Sequence, residues 1–144
     1  MVKNEARDSK ANALRSSWLF SDCNRKELAL LESACDEVVV HPGSVLCEEG
    51  KVGKEFCLIV SGRAKVTKNN HEVAMLGPGD GFGELSLLDQ QPRSATVTAI
   101  TPMEVLVLPA REFASVLEQI PSMAIRLLET ISLRLREADE RAYG

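Results

Sequence analysis

The chain has 144 residues, 44% of them hydrophobic and 26% charged, with a formal net charge of −4. This length predicts one domain with a real hydrophobic core. The negative charge argues against a general nucleic-acid-binding surface, so any bound anion needs a local site. No apolar run reaches the length of a membrane span, and the polar N-terminus lacks the apolar core of a signal peptide.

The N-terminal part of the sequence changes from charged to helical. Residues 1–10 are rich in charge, which predicts a disordered segment. Further along, Asn24 followed by Glu27 resembles a helix N-cap with its reciprocal partner. Apolar residues then recur at helical intervals and predict a helix over about 24–35. We therefore expect the N-terminal helices to occupy about 11–35.

Short apolar runs follow, and turn residues such as Gly77-Pro78-Gly79 separate them. The runs are Val38–Val40, Val45–Cys47, Phe56–Val60, Ala64–Thr67, Val73–Leu76, Ala95–Ile100 and Val105–Leu108. Many short strands with closely spaced turn signals are typical of a β-sandwich or barrel, although they do not give the strand order.

The last part of the chain is helical again. Arg111–Glu118 is one candidate helix, and Pro121 followed by Ser122, a possible N-cap, separates it from a longer one over 122–141. A heptad-like stripe runs along this longer helix. It consists of Ala124, Leu128, Ile131, Leu135 and Ala138. The stripe either packs on the chain's own barrel or forms the seam of a homodimer, and its length is too short to decide.

The cysteines show no C-x-x-C pair, and each lies among apolar or strand-like residues. They are Cys23, Cys35, Cys47 and Cys57. This pattern favours reduced core cysteines in a cytoplasmic protein. The alternative is a redox role, which requires an exposed thiol with a lowered pKa.

The sequence gives little support to catalytic sites. His41 and His71 lie on separate segments, which disfavours a metal site. Ser86 and Ser94 have no histidine nearby in sequence for a nucleophilic triad. The G-x-x-x-x-G-K-[ST] motif and an evident magnesium-binding carboxylate cluster are both absent. We therefore predict that the chain is not an enzyme and has no catalytic residue, metal or cofactor.

Residues 81–97, GFGELSLLDQQPRSATV, combine glycines, an acid and a base in a short stretch. Gly81 and Gly83 let the backbone approach a ligand closely or adopt positive φ. The residues that follow are numerous enough for a single helical turn, whose free N–H groups favour an anion. The stretch therefore favours an anionic ligand.

Two oppositely charged side chains narrow the chemistry of that ligand. Pro92 stiffens the return path, Arg93 offers a planar fork to a phosphate, and Ser94 adds a hydroxyl group. Glu84 would repel phosphate, but it suits a ribose hydroxyl, as an acidic residue does in dinucleotide-binding folds. The pattern fits a ligand with a modest negative charge and a ribose. The alternative is a surface ion pair between Glu84 and Arg93.

The same stretch closely resembles the phosphate-binding cassette of cyclic nucleotide-binding domains. This family includes the regulatory subunits of cAMP-dependent protein kinase and the bacterial catabolite activators. Upstream segments resemble the family's β-roll and its approach to the cassette. They are Pro42-Gly43, Glu49-Gly50 with Gly53, Ile59–Val66 and Leu76–Asp80. The resemblance covers about residues 14–141, and its cassette motif is long and specific.

The resemblance implies an α+β fold that is mainly β. An antiparallel β-roll, or jelly-roll barrel, would be flanked by an N-terminal helical bundle and by two C-terminal helices, termed B and C in the family. We expect one cyclic nucleotide-binding domain over 11–144. Its β-roll would span about 36–109 and its lid helices about 110–142.

The resemblance also implies the roles of individual residues. Glu84 would bind the ribose 2′-OH, and Arg93 the exocyclic phosphate oxygens. Backbone amides would complete the phosphate site, apolar side chains would border sugar and base, and a long side chain of the last helix would cap the base. The amides belong to Gly83, Leu85, Ser94 and Ala95, the apolar side chains to Phe82, Leu85 and Val73, and the candidate caps are Arg134, Arg136 and Arg141.

The function implied by the resemblance is a regulatory sensor of cyclic nucleotide, most simply cAMP, that relays occupancy through its C-terminal helices to an effector. A cGMP-selective sensor is an alternative, because a serine at position 94 occurs with either ligand. A further alternative is an interaction module that uses helix 122–141 and keeps a vestigial pocket. The chain ends immediately after that helix, so we expect no direct DNA binding.

Overall fold

The computed structural model describes residues 10–83 and 92–143. A first helix, α1, spans residues 10–16, so Lys10 at the end of the predicted disordered segment is already helical. The second helix, α2, spans Arg25–Ala34. Its predicted cap is confirmed, because the Glu27 N–H donates to Asn24 Oδ1 and the Asn24 N–H donates to Glu27 Oε1, both at 2.8 Å.

Eight strands follow in the described part of the chain, and they form two four-stranded sheets. The strands are β1 Asp36–Val40, β2 Val45–Cys47, β3 Glu55–Ser61, β4 Ala64–Lys68, β5 His71–Leu76, β6 Gly81–Phe82, β7 Thr96–Ala99 and β8 Met103–Pro109. One sheet has the order β1-β8-β3-β6 and the other β2-β7-β4-β5. Every strand pair is antiparallel.

The first sheet is covered on both of its faces. Along β3, Phe56, Leu58 and Val60 belong to a buried cluster with the helices, whereas Cys57 and Ile59 belong to a cluster shared with the second sheet. This division follows from the two-residue period of a strand, which sends alternate side chains to opposite faces. The molecule therefore has three layers, namely helices, the first sheet and the second sheet. The predicted mainly-β α+β fold is confirmed.

Two helices end the chain, α3 at Ala110–Gln119 and α4 at Pro121–Tyr143. Buried side chains of this region pack into the helical core; they are Phe113, Val116, Ile120, Met123 and Leu127. The predicted stripe lies on another face of α4, and two of its members are largely exposed, Leu128 at 66% and Leu135 at 61%. Ala124 and Ile131 of the stripe are half-buried, so the chain's own domain covers the stripe only in part.

Polar contacts join α4 to the segment between α1 and α2. Arg126 Nε lies 3.0 Å from Asp22 Oδ2, and Arg126 Nη2 donates to Ser21 Oγ at 2.7 Å. Hydrogen bonds and an ion pair thus hold the start of the C-terminal helix against the N-terminal helices. Among the helices in the described ranges, none has both the length and the apolar character that a membrane crossing requires.

Candidate functional site

A cavity of about 260 Å³ opens where the two sheets meet β6 and the segment after Pro92. Its walls combine small backbone-rich residues, apolar side chains and two arginines. They are Cys47, Val66, Leu76, Gly81, Phe82, Gly83, Arg93, Ser94, Ala95, Val97 and Arg134. Ligand sites typically have this composition, with mostly apolar walls and a few polar groups that fix orientation.

Arg93 contributes a buried positive charge to the wall of this cavity. Its side chain is buried, with only 8% exposure, and Nη2 donates to the Glu55 carbonyl oxygen at 2.6 Å. Nη1 is also buried, and it has no hydrogen-bond partner among the described residues. A buried guanidinium N–H without a partner is costly. The geometry therefore favours an anionic acceptor at Nη1.

The backbone at Gly83 makes room for this guanidinium. Gly83 has a φ of 99°, a conformation that residues with a side chain rarely adopt. A Cβ at this position would also overlap Nη1 of Arg93. A glycine is required here both for the chain path and for the close approach of the arginine.

The cavity brings together Phe82, Gly83, Arg93, Ser94 and Ala95, all of which the sequence singled out. Arg134 of α4 is the one candidate cap that lines it. The other three described candidates do not line it and are exposed; they are Val73, Arg136 and Arg141.

Two predicted residues, Glu84 and Leu85, lie outside the residues that the structure describes. The alternative of a surface ion pair between Glu84 and Arg93 also involves Glu84 and lies outside the described residues, whereas Arg93 itself is buried. A buried guanidinium at a cavity wall is the arrangement expected of a binding site rather than of a solvated ion pair.

Four lining side chains, Cys47, Val66, Leu76 and Val97, were not predicted from the sequence as site residues. They come from four strands, and Val66 and Val97 face each other in the register of β4 and β7. Strand alternation marks such residues as inward-facing, but only the strand order reveals which of them share a cavity.

Burial disfavours the reactive thiolate form of Cys47, which lines the cavity together with Arg93. Burial raises the pKa of Cys47 above its ordinary value, although the positive charge of Arg93 acts in the opposite direction. Burial also raises the pKa of Cys57 to about 12. All four cysteines have a raised pKa, whereas the redox alternative required a lowered one. Cys47 is instead a neutral wall residue, and its Sγ donates to the Ala95 carbonyl at 3.4 Å.

Metal ligands need several donor side chains grouped together. Within residues 10–83 and 92–143, no three His, Cys, Asp and Glu side chains form such a group.

Comparisons with known proteins show which family and which relatives the chain is similar to. A family model described as the cyclic nucleotide-binding domain matches residues 37–120. The "Cyclic AMP receptor protein" of Thermus thermophilus is 30% identical over 88% of this chain and 61% of its own length. A "cAMP-dependent protein kinase regulatory subunit" of Yarrowia lipolytica is 42% identical over 66% of this chain and 26% of its own.

The fold of the chain is also similar to that of a solved relative. The crystal structure of the Thermus thermophilus catabolite activator protein superposes with a TM-score of 0.80 at 30% identity, over 88% of this chain and 62% of that one. The chain thus spans less than two thirds of the length of these relatives.

Proposed function

Because the chain belongs to the cyclic nucleotide-binding domain family, we propose that it is a regulatory sensor whose ligand is cAMP. The observation that carries this proposal is Arg93, a buried arginine at the cavity wall with Nη1 unpartnered in the described part of the chain. A planar guanidinium suits a phosphate diester with one negative charge. The proposal treats the chain as a non-catalytic, cytoplasmic regulator.

Each part of the nucleotide has a proposed partner. Arg93 and the backbone amides of Gly83, Leu85, Ser94 and Ala95 bind the cyclic phosphate. Glu84 accepts a hydrogen bond from the ribose 2′-OH. Phe82 and Leu85 border sugar and base, together with the strand residues of the cavity. Val73 is not included in the proposed contacts, because it is 58% exposed and does not line the cavity.

Arg134 is the proposed base cap. It reaches the cavity from α4, whereas Arg136 and Arg141 on the same helix do not line it. The ligand binds more tightly when α4 is in the position that lets Arg134 touch it. Ligand binding therefore shifts α4 toward that position. Occupancy would therefore be relayed through α3 and α4 to an effector.

We favour cAMP over cGMP because the two relatives described above carry cyclic AMP in their names. Ser94 lines the cavity directly beside Arg93. Its hydroxyl can serve the phosphate of cAMP, or it can reach a guanine amino group. The choice between the two ligands is therefore open to a direct competition measurement.

The test is titration calorimetry with cAMP and cGMP on protein first stripped of bound nucleotide. We expect a one-to-one cAMP isotherm. Arg93→Ala should weaken binding by at least about 1.5–3 kcal/mol, the range for hydrogen bonds to a charged group. Arg93→Lys should restore binding only in part, because the fork is lost. Arg63→Ala, which removes a charge from an exposed residue outside the cavity lining, is the matched control.

Two results would redirect this proposal. Stronger binding of cGMP would keep the site and assign the Ser94 hydroxyl to the base. The absence of heat with either ligand, together with an unchanged melting temperature, would favour the interaction module instead. The observation behind that second candidate is the exposed apolar stripe on α4, with Leu128 and Leu135 in solvent.

A further inference from the structure

We infer that residues 50–55 form a main-chain bracket that positions Arg93, and that Gly53 is the residue whose missing side chain makes room for the guanidinium. This inference rests on the proposed function, since it concerns how the phosphate-binding arginine is aimed. Gly53 does not line the cavity with Phe82 and Ser94, so its role would be exerted through Arg93.

The bracket holds Arg93 by its own backbone. The Gly50 N–H donates to the Arg93 carbonyl at 2.9 Å, and the Arg93 N–H donates to the Lys51 carbonyl at 2.8 Å. An isolated antiparallel bridge between Val52 and Pro92 continues the same pairing. The main chain of Arg93 is therefore fixed along the bracket before any ligand is considered.

The bracket also holds the guanidinium. Nη2 of Arg93 donates to the Glu55 carbonyl at 2.6 Å, which fixes the direction of the fork. The neighbouring Lys54 carbonyl accepts from the N–H of Ala110, the first residue of α3, at 2.8 Å. The bracket is thus anchored on its far side and cannot simply move away from Arg93.

Gly53 lies where the side chain of Arg93 crosses the bracket. A Cβ built on Gly53 would overlap the guanidinium, and its three nearest neighbours are Nε, Nη2 and Cζ of Arg93. The φ of Gly53 is not in the left-handed region, so its backbone would accept an alanine without strain. The obstacle to a side chain is therefore the arginine itself rather than the chain path.

An alanine at this position would force Arg93 off its present path. The guanidinium is buried between the bracket and Gly83, where a Cβ would also overlap it. To escape the added methyl group, the fork would have to give up its bond to the Glu55 carbonyl. A displaced fork no longer meets the phosphate in the same geometry, although its charge is retained.

The experiment compares Gly53→Ala with Gly77→Ala. Gly77 is a matched control, because it also lacks a positive φ and a Cβ there meets nothing within 4 Å. We expect Gly53→Ala to weaken cAMP binding by about tenfold or more, as for loss of a hydrogen bond to a charged group. Gly77→Ala should leave cAMP binding unchanged.

A melting-temperature cycle separates positioning from a general packing role. With Arg93 present, Gly53→Ala should lower the melting temperature of the ligand-free protein by about 3 °C or more. In an Arg93→Ala background the same change should cost clearly less, because the obstructing side chain is gone. A general packing role would lower the melting temperature equally in both backgrounds.

The outcomes are distinguishable from failure of the proposed function. If wild-type protein binds no cyclic nucleotide, the melting cycle still measures whether Gly53 and Arg93 are coupled. Wild-type affinity in Gly53→Ala, or equal melting costs in the two backgrounds, would overturn the inference. Weaker binding of Gly53→Ala together with unequal melting costs would support it.

Discussion

The two halves of α4 both carry leucines at helical spacing, but they have very different surroundings. In the first half Met123 is fully buried and Leu127 is 4% exposed, whereas the next residue, Leu128, is 66% exposed. In the second half Leu133 and Leu135 are 58% and 61% exposed. Helical periodicity specifies the helix and its apolar residues, but the layer beside the helix decides which of them are covered.

The largest expected effect on stability comes from a substitution in the packed half of α4. Leu127→Ala should lower the free energy of unfolding by about 2–5 kcal/mol, because it removes buried methyl groups and leaves a cavity in the helical core. Leu128→Ala, one residue further along, should change it by no more than about 0.5 kcal/mol. Urea unfolding of the two variants measures the difference. Equal costs would mean that the packed face of α4 is assigned incorrectly.

A smaller effect is expected at the contact that fastens the packed half to the N-terminal helices. The pair of Arg126 with Asp22 is partly exposed, at 34% and 59% of the two side chains. Solvent screening therefore limits its coupling to about 0.2–1 kcal/mol. A double-mutant cycle with Arg126→Met and Asp22→Asn at low and high salt measures this coupling. A coupling that does not fall with salt would contradict the screened ion pair.

Much of the fold could be predicted because local interactions determine it. The Asn24–Glu27 cap depends on residues three apart, so the sequence alone predicts where α2 begins. The strand Gly81–Phe82 was missed because two residues, one of them glycine, carry no alternation. It is a strand only through its pairing with Cys57 and Leu58 of β3.

The sequence left the packed face of α4 open for a related reason. The stripe of Leu128 and Leu135 satisfies helical spacing as well as the buried residues Met123 and Leu127 do. Spacing cannot choose between two apolar faces of one helix, because the choice depends on where the first sheet and the other helices lie.

The candidate site also contains some residues that the sequence could predict and others that it could not. Arg93 could be selected from its chemistry, because an arginine beside a glycine-rich turn suits a phosphate. The walls contributed by Cys47, Val66 and Val97 could not, because those residues meet only through the order β2-β7-β4 in the second sheet. The role inferred for Gly53 also required coordinates, since it depends on the path of another residue's side chain.

The smallest expected effect on unfolding concerns the heptad-like stripe of α4, which we propose as a homodimer seam. Leu128→Ala and Leu135→Ala should each change the unfolding free energy of the monomer by no more than about 0.5 kcal/mol. Both should nevertheless reduce self-association, because paired apolar stripes of this spacing bury their leucines against a second copy.

Leu133→Ala is the matched control, since Leu133 is similarly exposed but lies off the stripe. Light scattering over a range of protein concentrations, with and without cAMP, distinguishes these cases. A wild-type protein that stays monomeric throughout would remove the dimer proposal and leave the stripe without a role in self-association. Equal losses of self-association in all three variants would show that general apolarity, rather than the heptad-like spacing, drives association.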